Sequence, residues 1–441
     1  MKNARYIVYK ALLRVEEDNA YSNLVLDEML SSSELDTRDK AFASNIFYGV
    51  LERKLSLDYI IRKFSSIRLK KIETRVLIIL RMAVYQLVFM DKVPDNAAVN
   101  EAVLSCKKEK LYNSSRFVNG LLRSITRAEQ RFPLPDKKDI IKYYSVKYSC
   151  PDNIISMWVK DYSEKTAEGI LSSLFGRPPI YICTNTSKTT TDELVKSLTE
   201  EGVNVKRTLL PDALEIEFSG AVTQLEAYKR GLFHIQDLSS QICCDVLAPT
   251  NGCIVSDVCS APGGKALNIA QRINDGLVYS YDIYEHKLKL IKASAKRLGI
   301  SNIETGIRDA SDTDSPLHMS DRILCDVPCS GLGVIRRKPD IRYKEDTGME
   351  SLPELQYRIL ECSSKYVKPN GILVYSTCTL NKSENNANAM RFLDAHPEFQ
   401  PLTLNLPVGI IRTIDESDNC LTLFPHTNGT DGFFIAAFKK I

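Results

Sequence analysis

The sequence predicts an α/β protein: a mostly parallel, doubly wound sheet in the C-terminal half, preceded by an all-helical domain and a small α/β connecting module. Three observations carry this. From about residue 232 onward, strand-type runs alternate with helical ones. Over the first 130 residues apolar side chains recur every three and four positions with few turn signals. Between the two, the segment RFPLPDKKD sets two prolines among polar residues, as linkers do. At 441 residues the chain has room for about three such units.

The helical domain, residues 1 to 130, shows its period in Ile7, Ala11 and Val15, in Phe42, Ile46 and Val50, and in Val76, Ile79, Ala83 and Leu87. Asp36 or Thr37 can cap the helix through Ala41–Leu51, and Asp95 or Asn96, after Pro94, can open the helix containing AAVNEAVLSC. The longest apolar stretch, Val76 to Met90, is interrupted by Arg81 and falls short of the ~20 residues of a membrane span. It therefore reads as a core helix.

Composition narrows the function classes. Apolar residues make up 44% and charged residues 26%, the globular average, which excludes disordered, collagenous and fibrous readings. The formal charge of +3 hides an asymmetry: residues 1 to 130 hold 22 Lys+Arg against 16 Asp+Glu, a balance of +6, leaving 36 against 39, or −3. Eight cations lie between Arg53 and Arg75. Such a cluster suits a phosphate-binding face, and equally a solvated helix face. Twelve cysteines without a C-x-x-C pair, beside only five histidines, predict no metal site. The opening MKNARYIVYKALLRVEE mixes charged and apolar residues, unlike a signal peptide, so reduced thiols and a cytoplasmic protein are expected.

The connecting module, residues 131 to 231, reads as a helical stretch (Ile140 to Leu174), the β-type run PPIYICTNT, a helix from Thr191 to Glu200, and extended runs at Val203–Arg207 and Ala213–Phe218. From 232 to the end, CIVSDVC, LVYSYD, IETGIRD, DRILCDV, GILVYST and FFIAAFKK read as strands. Ligands of doubly wound sheets lie beyond the carboxyl ends of the strands, so those ends hold the candidates.

The first strand ends in DVCSAPGGK, where Gly263 and Gly264 allow close backbone approach to a ligand just before a helix. It is not a Walker A loop, which would need Gly at Cys259 and a hydroxyl residue at Ala266. Asp282, nineteen residues after Gly263, ends the second strand, where a carboxylate can hold ribose hydroxyls. Asp309 and Asp326 end the third and fourth. Each alone would be read as a turn former, but three in register after one Gly-rich loop suggest a ligand site. Cys329 and Cys378, 49 residues apart, follow the fourth and fifth strands. Buried inert thiols are the ordinary reading for the other ten cysteines, whereas two at the ligand edge suggest nucleophilic chemistry.

DVCSAPGGK, DVPCSGLGVIRRKPD and YSTCTLNKSENN together resemble the motifs of the S-adenosylmethionine-dependent RNA cytosine-C5 methyltransferases of the Nop2/Sun family. DKAFASNIFYGVLERKLSLDYII and RVLIILRMAVYQLVFMDKVPDNAAVNEAV resemble the NusB-like RNA-binding domain. The resemblance spans nearly the whole chain. It implies a Rossmann-like methyltransferase domain over 232–441 and methylation of a cytosine in 16S ribosomal RNA by a monomer, without a membrane or a metal. It implies that Cys259, Ser260, Ala261, Pro262, Gly263, Gly264 and Lys265 line the cofactor, with Asp282 on the ribose, Asp309 near the adenine and Asp326 near the methyl donor and target base. Ser260 departs from the second Ala common in this loop, and either residue is small.

By the same resemblance Cys378 is the nucleophile and Cys329 the assisting thiol. Carbon 5 of cytosine is a poor nucleophile, and a thiolate adding at carbon 6 activates it. The chemistry itself is symmetric between two thiols, so the reverse assignment stays open at this level. Arg336, Arg337 and Lys338, beside the Pro-Cys loop, are candidates for phosphates flanking a flipped-out base, or for a solvated basic loop. An alternative reading is an RNA-binding or antitermination-type factor whose methyltransferase fold is vestigial.

Overall fold

The computed structural model describes residues 3–18, 22–343, 349–413 and 416–441. The chain divides into two compact units, Met1–Phe175 with Lys338–Lys344, and Gly176–Arg337 with Glu345–Ile441.

The first unit is helical: α1 (Ala4–Asp18), α2 (Ser22–Ser31), α3 (Thr37–Glu52), α4 (Lys54–Phe64), α5 (Thr74–Phe89), α6 (Asp95–Lys108), α7 (Tyr112–Arg127), α8 (Ile140–Tyr148), α9 (Asp152–Tyr162) and α10 (Glu164–Ser172). Helix α5 carries the long apolar run as a core element, and among the described residues no helix is long and apolar enough to cross a membrane. Arg81 is buried in it because Asp58 accepts two hydrogen bonds from its guanidinium, at 2.7 and 2.8 Å, and Glu16 lies 3.5 Å away. Paired carboxylates are what make a buried cation tolerable.

Asp36 caps α3, accepting from the Asp39 amide. The expected cap at Asp95 or Asn96 gives way to Pro94, which makes no side-chain bond. The Asp95 carboxylate instead takes Arg131, at 2.9 and 2.7 Å, and so ties down the start of the proline-containing segment. The stretch Ile140–Leu174, grouped in sequence with the strands that follow, packs here as α8–α10 with the helical unit. Ser56 Oγ donates to the Val146 carbonyl (2.6 Å), and the Leu55 amide donates to Ser149 Oγ (3.0 Å).

The second unit holds β1 (Ile180–Thr184), α11 (Thr191–Glu200), β2 (Asn204–Arg207), β3 (Ala213–Glu217), α12 (Glu226–Lys229), β4 (Phe233–Ile235), α13 (Leu238–Leu247), β5 (Ile254–Asp257), α14 (Gly264–Ala270), β6 (Leu277–Asp282), α15 (Glu285–Leu298), β7 (Ile303–Ile307), β8 (Ser320–Asp326), α16 (Leu352–Ser364), β9 (Val367–Thr377), α17 (Asn386–Ala395), β10 (Phe399–Pro401), β11 (Cys420–Leu423), α18 (Pro425–Asn428) and β12 (Phe433–Lys440). The first four strands form an antiparallel sheet in the order β2-β3-β1-β4.

The larger sheet runs β10-β12-β9-β8-β5-β6-β7, with β11 on β12. Strands β5 to β9 are parallel and β12 is antiparallel to β9. Phe433 to Phe438 of β12 are all buried, so this strand is a continuous apolar run without alternation. Strand order reverses at β5, which pairs with both β6 and β8, and the crevice beyond their carboxyl ends is the expected ligand position. Asp326 pairs in register with Ser376, so the chain leaves β8 and β9 at one level of the sheet.

Candidate active site at the carboxyl edge of the sheet

That register brings Cys329, three residues past β8, to Cys378, the residue after β9. Their Sγ atoms stand 3.1 Å apart, in hydrogen-bond contact and not joined as a disulfide. Of the twelve cysteines, nine are buried, and the three that retain exposure are Cys259, Cys329 and Cys378. The hydrogen bond with Cys378, then burial, pushes the Cys329 thiol well up. Two thiols this close cannot both ionise, so the pair carries at most one thiolate.

The loop after β5 turns at Gly263, whose φ is +101° and whose position leaves no room for a side chain, since a Cβ would meet Ile291 at 2.9 Å. The turn starts α14 and delivers Lys265 to Asp326, Nζ to Oδ2 at 2.6 Å. Burial by itself would lower the lysine's pKa, but the carboxylate outweighs it and holds the ammonium charged above its ordinary range. Asp326 Oδ1 also accepts from Ser376 Oγ at 2.8 Å. One carboxylate thus links the glycine loop to the strand leading to Cys378.

Asp282 ends β6 with Oδ1 accepting from the Tyr284 amide (2.9 Å). Asp309 lies two residues past β7, exposed, and accepts from the amide and hydroxyl of Ser311 at 2.9 and 2.7 Å; the hydroxyl contributes most to holding its carboxyl below the usual range. This is Asx-turn geometry. Around these carboxylates Ile283, Tyr284 and Ile307 are 52, 48 and 64% exposed. Large apolar side chains left open beside a strand-end Asp suit an adenine ring, a signal that the sequence carries in the apolar residues flanking Asp282.

The three basic residues after the Pro-Cys loop have different fates. For Arg337 the expected phosphate contact is replaced by a structural one: its guanidinium donates to both oxygens of Asp431 (2.8 and 2.6 Å), to Asp237 (2.8 Å) and to the Pro179 carbonyl (3.1 Å). Arg336 donates to the Arg177 carbonyl at 2.8 Å and stays half-buried, while Lys338 is exposed. In the helical unit, Arg53 lies over the Phe175 ring at 3.5 Å, Lys54 pairs with Glu16, and Arg75 pairs with Glu73. Arg62, Lys63, Arg68, Lys70 and Lys71 are the exposed part of that cluster.

Sequence reasoning missed two groups. Asp257, the last residue of β5, is buried with neither oxygen in a hydrogen bond of good geometry, and burial and then Asp326 raise its carboxyl to about 7. Glu384 and Asn385, inside the quoted SENN stretch, are fully buried beneath the two thiol loops. They lie within the YSTCTLNKSENN motif, where nothing local sets them apart from its other polar residues.

Comparison with known proteins adds the following. Residues 244–439 match the model of the 16S rRNA methyltransferase RsmB/F, residues 2–127 that of the NusB family, and residues 150–223 the ferredoxin-like domain of RsmF/B-like methyltransferases. The chain is 36% identical to the "Probable ribosomal RNA small subunit methyltransferase B" of Bacillus subtilis, covering 99% of each, and 33% identical to that of Synechocystis, covering all of each. The crystal structure of PH0851 is similar over 99% of this chain and 98% of its own, with a TM-score of 0.81 and 26% identity.

Proposed function

The chain belongs to the RsmB/F family of 16S ribosomal RNA methyltransferases, and from that premise we propose that it methylates carbon 5 of a cytosine, by resemblance cytosine 967, through a covalent bond from Cys378 to carbon 6. The observation that carries this reading is the pair of thiols 3.1 Å apart beside the Lys265–Asp326 pair. The residues present fit S-adenosylmethionine: a turn with no room for a side chain at Gly263, a carboxylate at Asp282 for the ribose, and exposed Ile283 and Ile307 for the adenine. When bound, that cofactor supplies the methyl group. On this reading Asp309, two residues past β7 on the same edge, would serve the adenine.

The rest is done by the chain's own side chains. The Cys378 thiolate adds to carbon 6 of a base flipped out of its stack. As the thiolate adds, the ring takes a proton from solvent at N3. Asp326, oriented by Lys265 and Ser376, or a neighbour stabilises that protonated ring and so favours the electron-rich carbon 5; the N3 proton returns to solvent when Cys378 is expelled. After methylation the carbon-5 proton leaves to a base assisted by Cys329, the carbon-6 bond to Cys378 breaks, and the thiolate is restored. Exposed cations of the helical unit, with Arg336 and Lys338, hold phosphates of the RNA.

Transfer of labelled methyl to 16S RNA, followed by location of the modified base, tests this reading. Cys378→Ala is expected to abolish transfer, and Cys329→Ala to accumulate a denaturation-resistant protein–RNA adduct. Normal cofactor binding without transfer to any RNA would sink the proposal and favour an RNA-binding factor.

A further inference from the structure

Glu384 and Asn385 are adjacent, fully buried, and each faces one of the two thiol loops. The Glu384 carboxyl accepts four hydrogen bonds. Two come from the residue next to Cys329, the Ser330 amide (3.0 Å) and hydroxyl (2.5 Å), and two from Gln356 Nε2 (2.8 Å) and Asn381 Nδ2 (3.0 Å). The Ser330 hydroxyl also lies 2.7 Å from Thr379 Oγ1, which crosses to the other loop.

Asn385 straddles Cys378. Its Oδ1 accepts from Thr377 Oγ1 at 2.6 Å, and its Nδ2 donates to the Thr379 carbonyl at 2.9 Å. Asn385 is also the N-cap residue of α17, a position where asparagine ordinarily bonds the helix amides, yet it makes no such bond. Its side chain is given to the Cys378 loop at the expense of its own helix. A residue that breaks a local rule while satisfying a distant loop marks a functional constraint.

We propose that Glu384 and Asn385 are a pair of positioning residues, Glu384 fixing the Cys329 loop and Asn385 the Cys378 loop, so that one buried dipeptide sets the geometry between the two thiols. The proposal rests on the two-thiol mechanism and assigns each residue to a different step. Loosening Glu384 leaves attack by Cys378 in place and impairs the Cys329-assisted release. Loosening Asn385 impairs attack itself. A misplacement of about 1 Å is enough to cost about 100-fold in rate.

The test uses the full chain carrying Glu384→Ala or Asn385→Ala, with Cys329→Ala as reference. Single-turnover methyl transfer, the steady-state KM for RNA and the yield of denaturation-resistant adduct are followed together. For Glu384→Ala, turnover falls about 100-fold at nearly unchanged KM while adduct accumulates, as in Cys329→Ala. For Asn385→Ala, turnover falls comparably without adduct. Phenylarsine oxide, which bridges two neighbouring thiols, reads the geometry without any RNA. Bridging, detected by mass and absent in Cys329→Ala, is expected to slow about tenfold in both variants.

If either alanine variant fails to fold, Glu384→Gln and Asn385→Asp carry the same readouts with smaller effects. Bridging at the wild-type rate in folded variants, or turnover within threefold of wild type, overturns the proposal. Absence of adduct in Cys329→Ala would instead indict the two-thiol mechanism, leaving the bridging rate to judge the pair.

Discussion

Lys265 Nζ lies 2.6 Å from Asp326 Oδ2, so the glycine loop after β5 and the end of β8, which leads into the Cys329 loop, are joined by one ion pair at the switch point of the sheet. Lys265 is 11% and Asp326 27% exposed, so this pair is only weakly screened.

Replacing Lys265 with Met should therefore cost about 3 kcal/mol of stability, because it leaves a partly buried carboxylate unpaired. Urea unfolding measures this. The double variant with Asp326→Asn should recover part of the loss without recovering activity.

Asp257 gives a pH dependence of defined sign. Its carboxyl titrates at about 7 in the folded chain, and near 4 when unfolded. Below pH 4 both states hold the proton and nothing is lost. Between about 4 and 7 the folded state keeps a proton that the unfolded chain releases, so stability falls as pH rises, by at most about 4 kcal/mol, and levels above 7. Asp257→Asn should remove that slope, being more stable than wild type at pH 8 and no more stable at pH 4. Urea midpoints across this range decide it.

Gly333 tests how closely the loops are stitched. Its amide donates to the Cys378 carbonyl at 3.0 Å and its carbonyl accepts from the Gly432 amide at 2.9 Å. A Cβ there would stand 1.9 Å from the Gly432 oxygen and 2.8 Å from the Cys378 oxygen, both backbone. Gly333→Ala should cost about 2–3 kcal/mol and shift the Cys378 loop, lowering methyl transfer more than cofactor binding. Thermal unfolding and calorimetric titration with S-adenosylmethionine separate the two effects.

The exposed cations of the helical unit are best probed by substitution. A cut at residue 130 would leave Val146 and Ser149 without their partners Ser56 and Leu55. Replacing Arg62, Lys63, Lys70 and Lys71 by Gln should weaken RNA binding and lower the salt slope by about 3, at roughly 0.7 per single-stranded phosphate contact. Cofactor affinity should stay unchanged. An unaltered slope would mean that these residues are only a solvated face.

Much of the fold and part of the site could be read in the chain because both are local. Alternating strands and helices follow from side-chain periodicity, and a ligand edge follows from which residues end each strand. That rule singled out Asp282, Asp326, Cys329 and Cys378 as candidates, and the structure puts all four at the carboxyl edge of the larger sheet. The rule cannot see the fate of a side chain whose partner lies far off in sequence. Arg337 looked like a phosphate ligand until Asp237 and Asp431, 100 and 94 residues away, claimed it. Glu384 and Asn385 drew no assignment of their own in sequence because their partners are set by the meeting of two loops.

By itself the sequence determined the helical and sheet-bearing regions, the glycine turn and the two cysteines at strand ends, since each depends on neighbours within a few residues. Tertiary structure alone decided that those thiols stand 3.1 Å apart, that Lys265 answers Asp326, and that only some of the cations stay exposed. Those outcomes depend on strand register and on which buried charges must be paired, and burial makes an unpaired charge too costly to leave to chance.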